Sequence, residues 1–201
     1  MTQLILIRHG QSQWNLENRF AGFRDVPLTA QGEGEARRAG EKLKAAGIVP
    51  DVVFTSTLER AWRTAELVLE GAGLNLPLIK SEAIRERNYG DLNGLNKAET
   101  AEKYGAEQVH IWRRSYDVPP PGGESLSDVV ARVRPYYEKH IAPELAAGKT
   151  VLIAAHGNSL RALMVILNFF TPDDINTFEI PNGEPLAVEF SGGAATKYYY
   201  L

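Results

Sequence analysis

The chain has 201 residues, 44% of them hydrophobic and 23% charged, the balance of one soluble globular domain with a substantial core. A formal net charge of −3 argues against a general nucleic-acid or anionic-membrane surface, since both call for a basic excess, so any cationic site must be local. Cysteine is absent, which excludes disulfides and thiolate zinc sites and fits a reducing cytoplasm.

The amino terminus enters a strand at once, with no basic and apolar leader of the secretory type. No apolar run reaches the roughly 18 residues of a membrane span. Leu4-Ile5-Leu6-Ile7 is a continuous apolar run, the mark of a strand buried on both faces of a parallel sheet. Arg8-His9-Gly10 ends it, and Ser12 to Arg24 reads as loop and short helix. Thr29 offers an N-cap to a helix with Ala36, Ala39, Gly40, Leu43 and Gly47 on its small or apolar face, Gly47 suiting the C-terminal cap. Asp51 to Ser56 is a second strand, and Thr57 opens a helix striped by Ala61, Ala65, Val68 and Leu69. This alternation predicts an α/β fold of three α/β/α layers, with a mostly parallel sheet and helices on both faces.

From Leu78 to Gly123 the periodicity is weak and charges are many. Ile84 to Gly90 reads as loop, and Tyr116-Asp117-Val118-Pro119-Pro120-Pro121-Gly122-Gly123 excludes regular helix. The single domain, 1–201, is therefore expected to carry an irregular, lid-like segment at about 88–123. Ser125 to Asp128 has the form of a capping box for a helix bearing Leu126, Val129, Val130, Val133, Tyr137 and Ile141, which Pro135 should bend. Thr150 to Ser159 then repeats the design of the first strand, an apolar run stopped by His156-Gly157, with a buried helix over Leu160 to Phe170. Thr171-Pro172-Asp173-Asp174 supplies an N-cap, a Pro at the first helical position and acids in the first turn. Leu186 to Phe190 and Thr196 to Leu201 read as a terminal hairpin across Ser191 to Ala195.

Ligands of open α/β sheets bind outside the carboxyl ends of the strands, so His9 and His156, at equivalent strand ends, point to one shared site. Arg8 adjoins His9. Arg60 lies in the first turn of its helix, where its charge opposes the helix dipole and a bound anion would relieve the conflict; a solvated surface arginine fits the same sequence. Lys97, Arg113 and Arg114 add charge from the middle of the chain, and they too read equally as solvated residues. Two histidines and Glu86 could ligate zinc, but the surrounding cations would repel a dication and no metal-ligand spacing is present. Phosphate suits the set better: arginine forks grip phosphoryl oxygens, an imidazole nitrogen can attack phosphorus, and Glu86 can serve as general acid and base.

Arg8-His9-Gly10-Gln11-Ser12-Gln13-Trp14-Asn15, Thr55-Ser56-Thr57-Leu58-Glu59-Arg60-Ala61, Glu86 to Gly94, Arg113-Arg114-Ser115-Tyr116 and His156-Gly157-Asn158-Ser159-Leu160-Arg161 follow one another in the order found in a known family. Together they resemble the histidine phosphatase superfamily, in the version used by cofactor-dependent phosphoglycerate mutases, over nearly the whole chain. The resemblance implies a phosphoglycerate mutase-like fold and interconversion of 2-phosphoglycerate and 3-phosphoglycerate. It implies His9 as the phosphorylated nucleophile, with His156, Arg8 and Arg60 around the phosphoryl group and Glu86 exchanging the proton of the substrate hydroxyl. Ser12, Asn15, Gly22, Tyr89, Lys97, Arg113, Arg114, Gly157 and Asn158 would line the rest of the pocket. The primer would be 2,3-bisphosphoglycerate, without a metal, and the partners would be small anionic phosphoglycerates in the cytoplasm. No nucleic acid or membrane is implied, and a homo-oligomer is compatible with the reading.

Three departures from the family pattern stand out. Ala21 occupies a position where a hydroxyl residue is usual, the segment after Pro121 is short, and the chain stops just after its last strand, so the covering role of a carboxyl-terminal tail should pass to 88–123. The alternatives are a phosphatase of the same superfamily, with water as acceptor, and a non-catalytic phospho-ligand binding module. Lys97, Arg113 and Arg114 weigh against the phosphatase, since they suit a second anionic end on the substrate.

Overall fold

The computed structural model describes residues 2–201. Its framework is one mixed sheet of six strands: β1 (Gln3–Arg8), β2 (Val52–Ser56), β3 (Leu78–Ser81), β4 (Val151–Ala155), β5 (Pro185–Ser191) and β6 (Ala194–Tyr200). The order across the sheet is β3-β2-β4-β1-β5-β6. The first four strands in that order run parallel, and β5 and β6 are added antiparallel. Strand β1 is thus central, paired with β4 in the register Leu4 to Val151 through Arg8 to Ala155 and with β5 on its other side.

The apolar run in β1 divides its side chains between two cores because successive residues of a strand face opposite ways. Leu4 and Leu6 join Val151, Ile153 and Leu186 on one face; Ile5 and Ile7 join Val53, Leu152 and Ala154 on the other. After the short α1 (Gln13–Leu16) come α2 (Ala30–Ala45) and α3 (Glu59–Ala72), which cover the second of these faces through Ala36, Ala39, Leu43, Ala65 and Val68. Thr29 caps α2 by accepting the Gly32 N–H, and Gly47 follows it with φ +68, as its C-terminal glycine should. The helix after β2 begins at Glu59, two residues later than Thr57 suggests.

Between β3 and β4 lie α4 (Lys97–Tyr104), α5 (Ala106–Arg114), α6 (Leu126–Tyr136) and α7 (Ala142–Ala146), and α8 (Gly157–Ile166) follows β4. Helices α6 and α8 cover the first face through Leu126, Val129, Val133, Leu160 and Leu163. The Ser125 and Asp128 capping box is formed in both directions. Pro135, which cannot donate to the carbonyl four residues earlier, is followed by a π-helical turn over Tyr137–Ile141, so the interruption expected of it takes the form of a widened turn.

Three expectations need correction. The segment 88–123 is not irregular throughout: it holds α4, capped by Asn96, and α5, separated by Gly105 at φ +89. Each buries one side chain, Thr100 in α4 and Val109 in α5, too few to write an apolar stripe into the sequence. Edge strand β3 was unforeseen because it buries no side chain fully. The Thr171 cap exists, with the Asp174 carboxylate accepting its N–H at 2.6 Å and its hydroxyl at 2.9 Å, but it opens only a turn and a 3-10 segment, Ile175–Thr177. The chain must be extended beyond that point for Asn182 to bridge to Arg8.

Candidate active site

His9 and His156 leave adjacent parallel strands at the same edge, and the His9 N–H donates to the Ala155 carbonyl at 2.9 Å. Their rings therefore meet, with centroids 5.1 Å apart and planes at 63°. The turn that carries His9 is locked by packing. A Cβ on Gly10 would sit 2.1 Å from the Gly32 carbonyl oxygen at the start of α2, and one on Gly32 would sit 2.1 Å from that of Gln11, so both positions require glycine. Behind the turn the Asn182 side-chain amide donates to the His9 carbonyl at 2.7 Å.

His9 Nδ1 lies 2.7 Å from the Gly10 carbonyl. A carbonyl can only accept, so Nδ1 carries the proton and Nε2 keeps its lone pair. Burial, reinforced by Arg60 and Arg8, holds His9 well below the usual 6.5. His156 is held low by the same burial and by Arg60, His9 and Arg8. Both rings are neutral at pH 7. Ser56 Oγ accepts the Leu58 N–H at 3.0 Å and stands 2.8 Å from His156 Nε2, close enough to hold that ring edge in place.

Arg60 is fully buried, not a surface residue. It donates at 2.8 Å to the carbonyls of Arg24 and Gly22, which steer its guanidinium, and burial lowers it only to about 10, so it keeps its charge. Gly22 is itself fixed: its φ is +50, and a Cβ there would strike Asn93 Oδ1 at 2.1 Å. Arg8 donates from Nη1 to the Ile180 carbonyl. After these bonds are made, five buried side-chain nitrogens have no partner among the described residues: Arg8 Nε, Arg60 Nε and His156 Nδ1 around His9, and Nε and Nη1 of Arg87. Buried polar nitrogens are almost always paired, so the two guanidinium Nε–H groups and the ring nitrogen left over around His9 mark the place of an acceptor-rich ligand.

Glu86 enters from the loop after β3. Its Oε1 accepts the N–H groups of Arg87 at 2.8 Å and Asn158 at 3.1 Å. Arg132 of α6 fastens that loop, donating to the Ala83 carbonyl at 2.8 Å and pairing with Glu124, whose carboxylate accepts the Asn88 N–H. A cleft opens in front of it, between the strand ends and the 88–123 segment. Seven cations line it (Arg8, Arg19, Arg60, Lys97, Arg113, Arg114, Arg161) against two carboxylates, Glu86 and Glu179, so an acidic chain concentrates positive charge at one place.

Of the residues expected at the site, Arg8, His9, Asn15, Gly22, Arg60, Glu86, Tyr89, Lys97, Arg113, Arg114, Gly157 and Asn158 line this cleft. His156 stands behind His9, fully buried. Ser12 is kept off the wall: it is fully buried and caps α1, its hydroxyl accepting the Asn15 N–H and donating to Asn15 Oδ1. Ala21 lines the wall between Phe20 and Gly22 with a methyl group that can accept or donate nothing. Ser56, Arg161 and Glu179 were not foreseen. Ser56 and Arg161 lie inside stretches that had drawn attention for other residues, whereas Glu179 has no local signal. Arg161 spans the Asn158 Oδ1 at 3.2 Å and the Ile175 carbonyl at 2.8 Å, turning the Asn158 amide nitrogen toward the Tyr89 hydroxyl. Among the described residues no three His, Cys, Asp or Glu side chains gather into a metal-ligand group.

The chain is similar to known proteins along its length. A family model of the histidine phosphatase superfamily (branch 1) matches residues 4–199. A 2,3-bisphosphoglycerate-dependent phosphoglycerate mutase of Sphingopyxis alaskensis is 52% identical, the match covering 100% of this chain and 99% of the relative. Another of that name, from a Methylobacterium species, is 58% identical over 91% of this chain and 88% of its own. Among solved structures, a mycobacterial glucosyl-3-phosphoglycerate phosphatase in complex with VO3 has a TM-score of 0.84 at 28% identity, covering 100% of this chain and 97% of the other. A putative alpha-ribazole-5'-P phosphatase from Escherichia coli has a TM-score of 0.80 at 26% identity, covering 100% and 95%.

Proposed function

The chain belongs to the histidine phosphatase superfamily, and from that premise we infer that it interconverts 2-phosphoglycerate and 3-phosphoglycerate as a 2,3-bisphosphoglycerate-dependent mutase. The observation that carries the reading is the pair of unpartnered buried donors Arg8 Nε and Arg60 Nε, with the unpartnered ring nitrogen His156 Nδ1, gathered about a neutral His9. They suit a phosphoryl group as it passes to and from Nε2, because preformed donors in a buried site stabilise developing charge without reorganising.

In this reading 2,3-bisphosphoglycerate supplies the first phosphoryl group. His9 Nε2 forms the bond to phosphorus as the ester P–O bond breaks, leaving a phosphohistidine and a phosphoglycerate alkoxide that takes a proton from Glu86. In the reverse direction Glu86 removes the proton of the free hydroxyl of the bound phosphoglycerate, whose oxygen attacks the phosphohistidine. Anchoring Glu86 Oε1 on two N–H groups leaves Oε2 for this exchange. Arg8, Arg60 and His156 hold the phosphoryl oxygens. Lys97, Arg113, Arg114, Tyr89, Asn15 and Asn158 take the far anionic end, Gly22 and Gly157 shape the wall, and Ser12 positions Asn15 from behind it. The segment 88–123 carries four of these groups and acts as the lid that excludes water while the phosphoenzyme waits for its acceptor. The work is done in the cytoplasm, where phosphoglycerates are made and used.

Solved neighbours named as phosphatases share the fold at 26–28% identity, whereas the mutases share 52–58%. The product mixture separates the two. Incubated with 3-phosphoglycerate, the enzyme should form 2-phosphoglycerate at a rate raised by added 2,3-bisphosphoglycerate, with little inorganic phosphate, and His9 should carry an acid-labile, base-stable phosphoryl group by mass spectrometry. Inorganic phosphate as the main product, or an active His9→Ala variant, overturns the assignment.

A further inference from the structure

Arg114, in the last turn of α5, does not face the cleft unpaired: its Nη2 lies 2.5 Å from Glu179 Oε1. Both residues line the same cleft as His9 and Glu86. The pair bridges two parts of the chain that otherwise approach the site separately, the 88–123 segment and the extended stretch ahead of β5. The Glu179 side is held firmly. Its carbonyl accepts the Tyr200 hydroxyl at 3.1 Å, the next carbonyl, of Ile180, accepts Arg8 Nη1 at 3.1 Å, and the Asn182 amide holds the His9 carbonyl. The Glu179 carboxylate is therefore tethered to the same backbone that carries the nucleophile and cannot drift away from Arg114 by movement of its own segment.

A carboxylate in contact with a cleft arginine is the same chemical group that a phosphoglycerate brings to the cleft. The side chains are 29% and 55% exposed for Arg114 and Glu179, so water can solvate either partner when the pair opens, and the contact is one that an incoming anion can exchange. Burial works to raise the Glu179 carboxyl, but the hydrogen bond and charge of Arg114, with Arg8 and Arg161 beyond it, hold it below the ordinary carboxylate value.

We propose that Glu179 is a built-in competitor for the far anion subsite: the substrate's carboxylate must displace it from Arg114, which weakens phosphoglycerate binding and hastens release. The proposal rests on the mutase reading for the identity of that ligand. It also gives Arg114 a partner when a phosphate ester without a carboxylate is bound, so such esters meet a cleft whose distal charge is already satisfied.

The test is Glu179→Gln, which keeps the shape and removes the charge. Calorimetric titration of 3-phosphoglycerate onto unphosphorylated enzyme should give a Kd lower by roughly fivefold, the scale of a partly exposed ion pair. In steady state KM for 3-phosphoglycerate should fall to match while kcat does not rise, and KM for para-nitrophenyl phosphate, which has no carboxylate, should fall by less; an equal fall for both overturns the competition. Glu179→Asp should return the Kd toward the wild-type value. Unchanged or weaker binding by Glu179→Gln overturns the proposal, the weaker case making Glu179 a substrate contact. If wild-type enzyme releases only inorganic phosphate, the mutase reading fails, and the binding comparison still decides the role of Glu179.

Discussion

At the residue scale the site depends on which ring nitrogen of each histidine carries a proton. His9 Nε2 can attack phosphorus because Gly10 holds the proton on Nδ1, and His156 donates from Nδ1 in the tautomer in which the Ser56 hydroxyl donates to Nε2. Replacing Ser56 by Ala leaves the Leu58 N–H and His156 Nε2 without the hydroxyl and lets the ring take either tautomer. Phosphoryl uptake by Ser56→Ala in single turnover should slow by about tenfold, the upper range for one hydrogen bond, while Ser56→Thr retains most of the rate. Nitrogen NMR of labelled imidazole should show the Nδ1–H form of His156 in the native enzyme and a mixture in the Ala variant; an unchanged rate and spectrum would remove Ser56 from the mechanism. Because burial and Arg60 depress both histidines well below 6.5, the rate of His9 phosphorylation in the free enzyme should also stay level as pH falls through 6.5. A decline centred at 6.5 in a single-turnover profile would mean that His9 titrates as a solvated imidazole does.

At the scale of elements, α4 and α5 bring Lys97, Arg113 and Arg114 to the cleft while resting on a small cluster of Phe20, Leu92 and Val109 with Tyr89, Ala101 and Trp112 around it. Few buried apolar contacts mean a low cost of local opening, so amide exchange in 97–114 should be fast without ligand and slow by an order of magnitude or so when phosphoglycerate is bound. Equal exchange in both states would deny the lid. The same thin packing explains what could be read beforehand. Strands β1 and β4 announced themselves because four or five successive side chains are buried in each, and α2 and α6 because their caps and stripes agree. Strand β3 and helices α4 and α5 bury too little to leave a pattern. In the site, His9 and His156 were legible as twin strand ends, whereas the burial of Arg60 depends on carbonyls of Gly22 and Arg24, nearly forty residues away, and Glu179 is brought in by tertiary structure alone.

For the whole molecule, two imidazoles buried as neutral groups make stability depend on pH. In the unfolded chain both titrate near 6.5, whereas in the fold both are well below it, so between those values the unfolded state binds more protons and acid favours it. Resistance to urea should therefore be greatest above 6.5 and fall as pH drops through it, by up to about 1.4 kcal/mol per pH unit for each histidine. A His9→Asn, His156→Asn double variant should lose less over the interval from 7.5 to 5.5; parallel curves for the two proteins would place the pH dependence elsewhere. The position of β1 in the sheet has a further consequence, for the protein during its manufacture. Its neighbours β4 and β5 lie about 150 and 180 residues downstream in the chain. At a translation speed of roughly 5–20 residues per second, Leu4-Ile5-Leu6-Ile7 waits something like 8 to 30 seconds for its first partner strand. For that time the nascent polypeptide displays an unpaired apolar ribbon to the ribosome surface and to chaperones, and the nucleophile at its end has no enzyme around it until nearly the last strand has been synthesised.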